Sequence, residues 1–108
     1  MKPCIIESPY AGDVAANKAY LQRCIRWCAE QGMTPYASHQ MLTDALDDAD
    51  PTQRKLGLQL GCDMTETLLT AGATVLFFAD LGVSPGMARM QQYLDTRGVP
   101  YRFVTGVL

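Results

Sequence analysis

A three-layer α/β sandwich, in which helices cover both faces of a four-stranded parallel sheet, is predicted by three observations in the sequence. Short apolar runs alternate with long segments of helical periodicity, the pattern that builds parallel sheets with crossover helices. The run Ala73 to Ala79 is apolar without interruption, as a central strand covered on both faces must be. Two of the runs end in turns rich in serine, proline and glycine that lead straight into helices: Ser8 to Asp13, and Ser84 to Met87.

The first strand is expected over Pro3 to Glu7, and Asp13 follows as the N-cap of a helix reaching about Gln31. Leu21, Cys24, Ile25 and Cys28 keep the spacing of a buried stripe, with Arg23, Arg26 and Glu30 on the other side. Gly32 is placed to end that helix in the left-handed region. A second strand is expected over Thr34 to Ser38. Between His39 and Ala49 the spacing of Met41, Leu42, Ala45 and Leu46 predicts a short helix. Asp50-Pro51-Thr52-Gln53 then combines a carboxylate cap, a first-turn proline and a capping-box glutamine. The helix it opens is expected to reach Leu69 or Thr70, with Leu56, Leu60, Met64 and Leu68 as its buried stripe. Gly57 and Gly61, four apart on this helix, would let another backbone approach closely. After the third strand, Asp80 to Val83 forms a loop, and Ser84-Pro85-Gly86 opens a helix ending near Gly98. Val99 to Val104 supplies the last strand. Right-handed crossovers leave few topologies, and a flavodoxin-like order 2-1-3-4 sets the ends of strands 1 and 3 side by side.

Composition narrows the function classes. The 108 residues fit one domain, residues 1–108, with a single core. The net charge is -2 and no basic run exceeds Arg54-Lys55, so the basic stripe that grips long nucleic acid is missing. The apolar run Ala71 to Ala79 is too short to cross a bilayer, so no membrane role is expected. The opening residues lead directly into a strand, leaving no space for a signal peptide, and a cytoplasmic location is the default expectation. Cys4, Cys24, Cys28 and Cys62 contain no Cys-x-x-Cys pair and read as small buried hydrophobes rather than zinc ligands or disulfides. Asp47, Asp48 and Asp50 lack the glycine and the terminal glutamate of a calcium loop. Neither a metal nor another cofactor is expected.

The two loops at the switch point carry the candidate site. Each leads into a helix N-terminus, where unpaired amides and the helix dipole favour an anion such as a phosphate. Ser8, Tyr10, Gly12 and Asp13 stand on one loop, and Ser84, Gly86 and Met87 on the other. Capping and turn formation account for part of their chemistry, and a shared ligand site accounts for their convergence. His39, the single histidine, follows strand 2 and faces the same end of the sheet, as a ligand contact or a structural donor. Arg54 stands one turn inside its helix, either binding a ligand anion or pairing with Asp47, Asp48 or Asp50.

Taken together, Ser8-Pro9-Tyr10-x-Gly12-Asp13 with Asn17, Pro35-x-x-x-His39, Leu46-Asp47-Asp48-x-Asp50-Pro51-x-x-Arg54-x-x-Gly57-Leu58 and Ser84-x-Gly86-Met87 resemble a small domain family related to the nucleoside 2-deoxyribosyltransferases. The match runs in order through nearly the whole chain. The resemblance implies a Rossmann-like sheet, a nucleoside or nucleotide pocket, and homo-oligomers with sites near subunit boundaries. Enzymes of that family cleave or exchange the bond between nucleobase and sugar, using a glutamate three residues after the Gly-Thr or Gly-Met pair. Here that position is Met90, preceded by Ala88 and Arg89. A thioether cannot form the glycosyl-carboxylate intermediate.

The leading expectation is therefore a non-catalytic nucleotide-binding protein on a deoxyribosyltransferase-like scaffold, with Arg89 favouring an anionic ligand. Such a protein would hold a nucleotide-derived signal, cyclic ones included, as viral sequestering proteins do. Two alternatives stand beside it. One is an N-glycosidase or deoxyribosyltransferase whose carboxylate is supplied by Glu7, Asp13 or Asp80. The other is a structural oligomer with a vestigial pocket.

Overall fold

Strands β1 (Lys2–Glu7), β2 (Met33–Tyr36), β3 (Thr74–Phe78) and β4 (Tyr101–Val104) form one parallel sheet in the order β2-β1-β3-β4. They belong to a computed structural model that describes residues 2–37, 42 and 44–108. The architecture is the expected α/β sandwich in the expected strand order. Central β1 is paired on both sides, with Ile5 beside Tyr36 of β2 and Val75 of β3. Alternation along the strands divides the core in two. Cys4, Ile6, Leu76 and Phe78 face one side, where they pack on Tyr20, Leu21, Cys24 and Cys28. Ile5, Val75 and Phe77 face the other, against Met87 and Leu94, with Leu68, Leu69 and Met90 at the edge.

The first of these layers is α1 (Val14–Glu30), whose Asp13 cap accepts the Ala16 amide at 3.1 Å. The opposite layer holds α2 (Pro51–Thr70) and α3 (Pro85–Arg97). Asp50 caps α2 by accepting from the Thr52 amide at 2.9 Å, with proline in the first turn as expected. Gln53 does not close a capping box. Its Oε1 accepts the Asp47 amide at 2.7 Å, because the Asp50 amide is already donated to the Asp47 carbonyl. Ser84 caps α3 by accepting the Met87 amide at 3.2 Å, and Gly98 ends it at φ +68°.

Three expectations need correction. The last strand begins at Tyr101 rather than Val99, since the Val99 amide is donated back to the Leu94 carbonyl and Pro100 has no amide to give. Strand β2 ends at Tyr36; Ser38 and His39 to Met41 lie outside the described residues, as does Thr43. Of the expected short helix, Leu42 and Asp44 to Ala45 are helical, and the Leu46 amide reaches the Leu42 carbonyl. The third correction is the largest. Leu56, Leu60 and Met64 are 44%, 42% and 40% exposed, so the apolar stripe of α2 points away from the sheet. Leu68 alone of that stripe packs on the core. Among the described residues, no helix is long and apolar enough to cross a membrane.

Candidate ligand-binding cavity

A cavity of about 570 Å³ opens at the carboxyl end of β1, between the β1–α1 loop, α2 and the start of α3. That size lies within the usual range for small-molecule sites. Glu7, Ser8 and Tyr10 line it from β1 and the loop, and Arg54 lines it from the first turn of α2. Ser84, Gly86, Met87, Arg89, Met90 and Tyr93 line it from the α3 side.

Each wall is set by local chemistry. The loop turns at Gly12, whose φ of +96° places it where side chains are strained. Asn17, one turn into α1 and buried, donates its amide to the carbonyls of Tyr10 at 2.9 Å and Ala11 at 3.0 Å. The carbonyls are thereby turned back towards the helix, and the strand-end residues Ser8 and Tyr10 are held at the cavity. Across from them, Pro85 brings no amide and Ser84 occupies the amide of Met87. The Sδ of Met87 in turn accepts the Ser84 amide at 3.5 Å. A side chain on Gly86 would meet Arg89 at only 3.7 Å, so this glycine leaves modest room rather than an essential gap.

Glu7 projects on the same face of β1 as Ile5, towards α2 and α3. Burial pushes its carboxyl up to about 7. No hydrogen bond or ion pair holds it among the described residues. Burial, with the nearby Glu7 charge second, raises the Tyr36 phenol on the neighbouring strand. Asp48, from the segment preceding α2, is the other carboxylate in the cavity wall among the described residues.

Of the residues singled out in the sequence, Ser8, Tyr10, Arg54, Ser84, Gly86, Met87 and Arg89 come together here, with Glu7 and Met90. Gly12 and Asp13 stand outside the cavity wall, one as the turn and the other as the cap of α1. Asp80 is also outside, bonded to Tyr20 and to the backbone of the C-terminal tail. His39 lies outside the described residues.

The α2 wall was hidden in the sequence. Arg54, Gly57, Leu58, Gly61, Cys62 and Thr65 share the inner face of that helix, and Thr65 is buried. Apart from Leu58, small and polar residues there leave the space of the cavity, while the leucine spacing marks the outer face instead. The glycine pair was the available signal. A Cβ on Gly57 would stand 3.3 Å from the Leu46 side chain, so what it admits is a side chain rather than another backbone. Cys62 departs from the expected buried thiols: it is exposed and lines the cavity, whereas Cys4, Cys24 and Cys28 are buried. Burial pushes the Cys24 thiol up to about 12 and keeps it protonated. Among the described residues, no group of three or more His, Cys, Asp or Glu side chains is placed to hold a metal ion.

Fold and cavity together define an open parallel α/β domain with its pocket at the switch point of the sheet. The chain belongs to the family described as Domain of unknown function (DUF7768), whose family model matches residues 2–104. Searches of curated proteins and of solved structures returned no match.

Proposed function

We propose that this protein binds a nucleotide or nucleotide-derived signal, linear or cyclic, and holds it without cleaving it. The observation that carries the reading is the joint presence of Arg54 and Arg89 in one cavity with Tyr10. Two guanidinium groups suit phosphate oxygens, and an aromatic ring suits a base or sugar. Met90 in the same wall supports binding without transfer, since it offers no carboxylate to capture an anomeric carbon. The resemblance to the deoxyribosyltransferase-related family adds the nucleotide to this chemistry.

Purified protein is incubated with nucleoside monophosphates, cyclic mononucleotides and cyclic dinucleotides, with binding followed by calorimetry and chemical fate by chromatography. Binding with the nucleotide recovered intact is the expected result. Arg89→Ala and Tyr10→Ala should each weaken it by roughly tenfold or more, the loss of a contact of about 1.4 kcal/mol. Unchanged affinity in both variants would move the ligand away from this cavity.

One observation favours a second reading, an N-glycosidase. Of the three carboxylates considered for that role, Glu7 alone lines the cavity, and its raised pKa suits a general acid near neutral pH. Free base released from any nucleotide, and abolished by Glu7→Gln, would replace the binding-only reading with this one. Self-association belongs to the proposal as well, supported by the outward leucine face of α2.

A further inference from the structure

We infer that Glu7 reads the edge of the bound nucleobase as a neutral carboxylic acid, pairing with an acceptor and a donor that lie side by side. The inference rests on the nucleotide-binding reading of the cavity and names the group that recognises the base.

Position is the first ground. Glu7 ends the central strand β1 at the carboxyl end of the sheet, and its side chain lines the cavity together with Arg54 and Arg89. The arginines come from α2 and α3 and Glu7 from the end of the strand on which both helices pack, so a ligand with its phosphate on the helices turns its base towards the strand end. Its carboxyl has no hydrogen-bond or ion-pair partner among the described residues, and is available to a ligand.

Protonation is the second ground. Burial alone already brings the carboxyl to about 7. The titratable and charged residues that share its surroundings are Tyr36 from β2, Tyr10 from the β1–α1 loop, Asp48 from the segment before α2, Arg54 and Cys62 from α2, and Arg89 and Tyr93 from α3. A phosphate held by the arginines brings negative charge into the same cavity, and a negative charge near a carboxyl favours its uncharged form. A neutral carboxyl presents one O–H donor and one C=O acceptor. Adenine matches it with a ring nitrogen and the adjacent amino group. An ionised carboxylate presents acceptors alone and repels the ring nitrogen of adenine. Guanine differs, because its N1–H and 2-amino group are two adjacent donors that suit the ionised form.

The test uses the full chain and titrates 3′,5′-cyclic AMP and 3′,5′-cyclic GMP, with adenosine and guanosine 5′-monophosphates alongside, between pH 5.5 and 8.5. The cyclic phosphodiester keeps one charge across this range, so a change in affinity reports on the protein. Binding of the adenine probes should weaken above neutral pH, approaching about tenfold per pH unit for one required proton. The guanine probes should show the opposite trend and bind more tightly as pH rises, because the ionised carboxylate meets two donors. Glu7→Gln fixes a donor and an acceptor at every pH, and should bind adenine probes with affinity near the acidic wild-type value and without the slope. Glu7→Ala should lose affinity throughout. A slope that persists in Glu7→Gln, or wild-type affinity in Glu7→Ala, would overturn the base-reading role and leave nucleotide binding standing. No binding of any probe by the wild type at any pH would overturn the nucleotide reading and this inference with it.

Discussion

The Tyr20 phenol donates to Asp80 Oδ2 at 2.9 Å and accepts the Asp80 backbone amide at 3.1 Å, a two-way link between residues sixty apart in the chain. Asp80 completes the junction by accepting the amides of Gly106 and Val107 from the tail beyond β4. Its carboxylate is held below the usual range, first by the Gly106 amide. Asp80, one of the carboxylates considered for catalysis, is occupied in fastening the segment after β4.

Replacing Asp80 by Ala should therefore release the tail and leave the cavity intact. Amide exchange at Gly106 and Val107 should accelerate by roughly tenfold or more, the equivalent of losing a hydrogen bond to a charged group. Because the folded-state pKa is depressed, the wild-type clasp is fully present above the ordinary aspartate value of 3.8 and is lost as pH falls through the lower folded value. Protected tail amides in Asp80→Ala would contradict the assignment.

Glu7 gives the opposite dependence. Its pKa rises from 4.5 to about 7 on folding, so the neutral form favours the folded state. Its contribution to stability is fully present below 4.5, declines as pH rises through the interval to about 7, and levels off above it. The total cost is on the order of 3 kcal/mol. Urea unfolding of Glu7→Gln should lack this decline and show a higher midpoint than wild type at pH 8. Parallel wild-type and variant curves from pH 4.5 to 8 would count against a half-buried Glu7 that ionises over this range.

Asn17→Ala tests the loop. Removal of the amide leaves the Tyr10 and Ala11 carbonyls without their shared donor, and should destabilise the fold by about 1–3 kcal/mol. Ligand affinity should drop as well, although Asn17 does not line the cavity, because Ser8 and Tyr10 lose their support. Asn17→Asp separates hydrogen bonding from volume: it keeps the size but replaces the donor, and should behave like the alanine variant. Urea unfolding and calorimetry on both variants check this, and wild-type values in either would leave the loop without its anchor at Asn17.

Cys62 offers a direct probe of the cavity. In the folded protein a thiol reagent should modify Cys62 and leave Cys4, Cys24 and Cys28 unmodified, since they are buried. A bound nucleotide should slow the reaction at Cys62 by its occupancy of the same wall. Mass spectrometry of the labelled peptides checks both statements.

The outward face of α2 predicts self-association. Leu56, Leu60 and Met64 recur every fourth residue and carry no charge, a seam that a second copy running antiparallel would cover about Leu60. Sedimentation should show a dimer for the wild type and a monomer for Leu60→Glu, with helical content retained. A monomeric wild type at concentrations of roughly 100 µM, far above a micromolar Kd, would exclude the seam.

What the sequence by itself determined was local. The strand order followed from alternating patterns and right-handed crossovers, and the three caps at Asp13, Asp50 and Ser84 are where their side-chain chemistry puts them. One loop and one helix start of the site were legible for the same reason, since turns and caps are written in neighbouring residues. Tertiary structure alone decided which face of α2 meets the sheet. Helical spacing finds an apolar stripe but not its partner, and here the face that borders the cavity is, Leu58 apart, small or polar while the stripe points outward. It also decided between the carboxylates. Asp13, Asp80 and Glu7 were equivalent candidates in one dimension, but a cap, a tail clasp and a cavity wall separate them. The partial burial that makes Glu7 distinctive is set by residues far away in the chain, on α2 and α3, that form the cavity with it.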